Sequence, residues 1–102
     1  MSEEIVRYLW QASESKKACR VTLKGEPFPR VIHPYGVCKS SANKIIVVCK
    51  QSAGFTKGGG GAGYRNILLA KITEVEIIEE HFSVLEDFDP NDSQYVEWVY
   101  HI

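Results

Sequence analysis

The sequence predicts an α+β domain that is mostly β: a short N-terminal helix followed by about five short strands, dominated by a small, strongly bent antiparallel barrel. Three observations carry that expectation. Apolar residues are spaced for a helix only near the start of the chain; from residue 18 onward they alternate or run in β-branched blocks. Clusters of glycine, proline, serine and asparagine separate those blocks at short intervals. With 102 residues there is room for one core, since two independent halves would each fall near the lower size limit. A single domain over 1–102 follows.

Ser2 is a suitable N-cap, Glu3 and Glu4 suit the positive end of a helix, and Ile5, Leu9 and Ala12 recur on one face with Val6 beside them, predicting a helix over about 3–13. From Ala18 to Leu23, Cys19, Val21 and Leu23 alternate with Ala18, Arg20 and Thr22, the period of a half-buried strand. Gly25, Pro27 and Pro29 interrupt it. Arg30-Val31-Ile32-His33 reads as a second strand, disrupted by Pro34 before Tyr35-Gly36-Val37-Cys38. Ser40-Ser41-Ala42-Asn43 supplies turn chemistry, and Lys44 to Gln51 carries the β-branched run of a buried strand. Tyr64 to Leu69 and Thr73 to Ile78 complete a barrel region of about 18–82. Residues 83–102 read as an acidic C-terminal extension; within it the aromatic, β-branched stretch Gln94 to Ile102 favours strand over helix.

Charge is strongly segregated although the net charge is −1. Between residues 16 and 71 eleven basic residues face Glu26 alone, whereas residues 72–102 hold nine acidic residues and no Lys or Arg. A basic middle can present a positive face to phosphates. The structural alternative is that the acidic third folds back over it, pairing charges within the monomer or across a dimer.

Several chemistries find little footing. Gly58 to Gly63 formally satisfies G-x-G-x-x-G, but Tyr64 onward reads as a strand rather than the helix a dinucleotide site needs, and no G-K-[ST] follows. A mobile hairpin connection is expected instead. Cys19 and Cys49 sit in apolar strand patterns, and only Cys38, beside Lys39, has a neighbour that favours a thiolate. With no paired base or oxyanion hole evident, no catalytic residue is assigned. Glu79-Glu80-His81 and the later acids read as a solvated rim, not a metal site. No cofactor is expected. The acidic start opposes a secretory signal, and no apolar run approaches the ~20 residues that span a bilayer, so a cytoplasmic protein without a membrane partner is expected.

Three blocks together carry a resemblance: Arg30-Val31-Ile32-His33-Pro34-Tyr35-Gly36-Val37, then Lys44 to Lys50, then Tyr64-Arg65-Asn66-Ile67-Leu68-Leu69-Ala70-Lys71-Ile72-Thr73-Glu74-Val75. This arrangement resembles the WYL domain, in which a proline-containing strand precedes the strand bearing Trp-Tyr-Leu, and a loop leads to R-x-F-x-L-x-R-I-x-x-V. Arg65 falls on the first arginine of that block, Ile67 on its phenylalanine, Leu69 on its leucine, Lys71 on its second arginine, and Ile72 and Val75 on its closing aliphatics. Ile46-Val47-Val48 replaces the name-giving tripeptide, and a lysine lacks the planar fork of the arginine it replaces. The 17 residues before the first predicted strand are too few for the winged helix-turn-helix that usually precedes the family's domain. The resemblance implies a standalone Sm-like or SH3-like barrel that binds nucleotides, oligonucleotides or another anion and conveys binding to a partner, without catalysis.

Arg65 is placed to meet a ligand phosphate, Tyr64 and Tyr35 offer aromatic faces for a base, Lys50 and Lys71 add positive charge, and His33 is a further pocket member. The expected function is a non-enzymatic regulatory module for a nucleotide or single-stranded nucleic acid. The alternative is a protein-interaction or homodimerisation domain working through the acidic C-terminal third and the Tyr95-Trp98-Tyr100 surface.

Overall fold

In the computed structural model, which describes residues 3–54 and 63–102, the chain opens with helix α1, Glu3–Ser15. The helix stops where Lys16 enters the left-handed region at φ 55° and its amide bonds the Ser13 carbonyl at 3.2 Å. Six strands follow: β1 Lys17–Leu23, β2 Arg30–Ser40, β3 Ile45–Gly54, β4 Gly63–Leu68, β5 Ile72–His81 and β6 Tyr95–His101. A 3₁₀ turn, Leu69–Lys71, joins β4 directly to β5. The expected cap Ser2 and residues 58–62 of the glycine-rich connection lie outside the described residues.

The architecture is α+β and mostly β, one N-terminal helix on a six-stranded antiparallel sheet. Strand order is β4-β3-β2-β1-β5, with β6 on β2. Among the described residues β4 and β5 do not pair, so the sheet is neither closed nor strongly curled.

β2 is the spine. One edge pairs with β3 throughout, while the other pairs first with β1, through Arg30 to Ile32, and then with β6, through Gly36 to Ser40. Pro34 sits between the two partners, at an irregularity in the β2–β3 register between Pro34 and Gly36. The sequence suggests that Pro34 divides two short strands. It is instead tolerated within one long strand, because a missing N–H costs little where the ladder is already interrupted.

Side chains alternate across the sheet and build two apolar layers. On one face α1 lays Leu9 and Ala12 over Val21, Ile32, Val37, Val47 and Cys49. On the other, Phe82, Val84 and Phe88 cover Tyr35, Cys38, Ile46 and Val48. The stretch expected as an extension therefore supplies both a lid for the second face and strand β6. Trp98 Nε1 donates to the Pro90 carbonyl at 2.8 Å, and Ile102 N to the Tyr35 carbonyl at 3.0 Å. Among the described residues no helix is long and apolar enough to cross a membrane.

Candidate anion-binding cleft

A cleft of about 460 Å³ opens where the end of β1, the start of β2, β4 and the 3₁₀ turn converge. Among the described residues four cationic side chains line it, Lys24, Arg30, Arg65 and Lys71, with a single carboxylate, Glu26. Leu23, Ile67 and Leu68 form its apolar wall. Backbone geometry brings the lysines together: Lys24 N donates to the Lys71 carbonyl at 2.8 Å, tying the β1 end to the turn that begins β5.

The two arginines are anchored differently. Arg30 Nε donates to Glu26 Oε1 at 2.9 Å and Nη2 to Oε2, with both side chains only 12% and 14% exposed. Its Nη1 lies 3.5 Å from Oε1 of the buried Gln51. Arg65, opposite Cys49 on β3, is half-buried and donates through Nη1 to the Tyr64 carbonyl at 3.0 Å. Burial pushes the Cys49 thiol up to about 12 against the opposing fields of Arg30 and Arg65. Positive donors with an apolar wall suit an oxyanion attached to a less polar body, not a metal cation.

Of the residues singled out in the sequence, the structure unites Arg65 and Lys71 here. The others belong to the opposite face. Tyr64 neighbours Arg65 on β4, so the two side chains leave the sheet on opposite sides. His33, Lys50 and Tyr64 form one cross-strand row over β2, β3 and β4. His33 stacks on Phe82 with ring centroids 4.8 Å apart, and its Nε2 lies 2.8 Å from Glu80 Oε2. Tyr64 Oη donates to Asp87 at 2.6 Å, and loss of water around the phenol together with that carboxylate raises its pKa. Tyr35 is fully buried, its hydroxyl accepting from Leu85 N at 3.1 Å, so it presents no face to a base.

Lys24, Arg30 and Glu26 escape the sequence reading because their proximity to Arg65 depends on long-range pairing. One signal was available: Glu26 is the lone acid in the basic segment, inside the Gly/Pro turn that ends the first strand. All three thiols are buried, and burial raises each pKa, including that of Cys38 beside Lys39. The acidic third does fold back in places. Lys17 meets Glu79 at 3.3 Å and Arg20 meets Glu76 at 2.7 Å, both on the surface. No protein-family model, curated protein or solved structure matches this chain.

Proposed function

We propose that this chain is a non-catalytic binding module that takes the phosphate of a nucleotide or short single-stranded oligonucleotide in the Lys24/Arg30/Arg65/Lys71 cleft and conveys that binding to a partner. The observation that carries the reading is the convergence of four cations from separate segments on one cleft that holds a single carboxylate. Its volume is within the range of small-ligand sites. Leu23, Ile67 and Leu68 back the cleft with apolar side chains, while the charged groups hold the phosphate.

The WYL-like, Sm/SH3-like barrel belongs to the same proposal, with its β4/β5 seam unpaired. Two features support it: the order β4-β3-β2-β1-β5, and the three-residue turn that joins the two edge strands. The cleft lies beside that seam, where Arg65 and Lys71 occupy the positions carried over from the resemblance. The test is ligand-induced thermal stabilisation, because a ligand that binds only the native state raises its stability. Nucleotides and short oligonucleotides are expected to shift wild type and not Arg65→Ala.

A second reading, self-association, draws on exposed apolar side chains of α1 and β6: Trp10 at 51%, Val96 at 61% and Val99 at 60%. Concentration-dependent sedimentation without ligand, with no thermal shift from any nucleotide, would favour it.

A further inference from the structure

We infer that Glu26 is an internal stand-in for the ligand's oxyanion and that it selects for a terminal phosphate dianion, as in a phosphate monoester or a diphosphate. The inference rests on the anion-cleft reading above. Glu26 is the one acid between residues 16 and 71, and among the described residues it is the one carboxylate in the cleft. It grips Arg30 through both oxygens, the fork-to-fork geometry in which a guanidinium also receives two phosphate oxygens. Arg30 is thereby preorganised for a planar pair of acceptors, yet neutralised until those acceptors are displaced.

The exchange sets a threshold. A singly charged ligand that takes over the Arg30 fork replaces one monoanion by another and gains little. A dianion offers the same fork more charge, and Lys24, Arg65 and Lys71 line the same cleft to meet the excess. The carboxylate has somewhere to go. Glu26 follows Gly25, which has a φ of +83° and open space around its Cα, and two residues further on Phe28 is exposed rather than anchored in the core. Ligand and carboxylate thus compete for one guanidinium, and the competition favours the more highly charged phosphate.

Calorimetric titration with adenosine 5′-monophosphate, a dianion at neutral pH, and with its 3′,5′-cyclic phosphodiester, a monoanion, tests this on wild type, Glu26→Gln and Arg65→Ala. Wild type should prefer the monoester by roughly tenfold, and Glu26→Gln should shrink the preference to about threefold or less, chiefly by tightening the cyclic ligand. An unchanged preference, or weaker binding of both ligands by Glu26→Gln, overturns the role of Glu26 while wild-type binding lost in Arg65→Ala keeps the cleft. Absence of binding by both wild type and Glu26→Gln overturns the cleft reading and this inference together. Should Glu26→Gln fail to fold, the Arg30 Nε resonance of ¹⁵N-labelled wild type decides: it should move on addition of the monoester, and an unmoved Arg30 signal beside a shifting Arg65 signal contradicts the exchange.

Discussion

Ser13 Oγ donates to the carbonyl of Pro34 at 2.9 Å in the protein interior, at the point where the edge of β2 passes from β1 to β6. A serine hydroxyl has one hydrogen, so the 3.0 Å contact between Ser13 Oγ and Tyr100 Oη must use the tyrosine's proton. The result is a directed chain, Tyr100 to Ser13 to Pro34, linking β6, α1 and β2. Ser13→Ala leaves a buried carbonyl and a mostly buried phenol without that partner. A loss of about 1–3 kcal/mol is expected from urea denaturation, with Tyr100→Phe costing less because Ser13 keeps its acceptor.

Gly36 is required by approach rather than by backbone angle. A Cβ there would lie 2.5 Å from the Tyr100 carbonyl oxygen and 2.6 Å from the Trp98 ring. Gly36→Ala is therefore expected to cost about 1–3 kcal/mol, to loosen β6 before the rest of the sheet, and to do so visibly as faster amide exchange over Tyr95–His101.

Alkaline stability follows from the buried thiols. Burial raises Cys19 and Cys49 from 9.0 to about 12, so the native state holds protons that the unfolded chain gives up first. Their contribution is complete below about pH 9 and is lost as pH rises toward the folded values. Tyr64 and Tyr100, also raised, act in the same direction above pH 10.0. Urea midpoints should fall steadily above about pH 9, and the slope should flatten in Cys49→Ala; a flat wild-type profile would contradict the burial of these groups.

The surface pairs across β1 and β5 should contribute little. Arg20 and Glu76 are 46% and 66% exposed in their side chains, and Arg20→Ala is expected to change stability by less than about 1 kcal/mol. Nucleotide binding should be unaffected by the same substitution, since Arg20 does not line the cleft.

Elements written in local pattern were legible in the sequence: α1 from the Ile5/Leu9/Ala12 spacing, β1 from its alternation and β3 from Ile45 to Val48. Pro34 misled because local propensity reports a break, whereas the tertiary arrangement places the missing N–H at a register irregularity. β6 was visible as a strand, but nothing local to Tyr95–His101 says that it lies against Gly36–Ser40. The candidate site was half legible. Arg65 and Lys71 stood out, while Lys24 and Arg30 join them only through strand pairing. Tyr64 was separable from Arg65 in the sequence itself, since neighbouring side chains on a strand leave opposite faces.

Calorimetric titration of adenosine 5′-monophosphate at two salt concentrations decides whether the cleft between β4 and the β1–β2 turn binds a phosphate-bearing ligand. One saturable site per chain is expected, weaker at the higher salt, abolished by Arg65→Ala and reduced by Lys71→Ala, with both variants folded as wild type. No binding heat in wild type, or an isotherm that Arg65→Ala leaves unchanged, would contradict it.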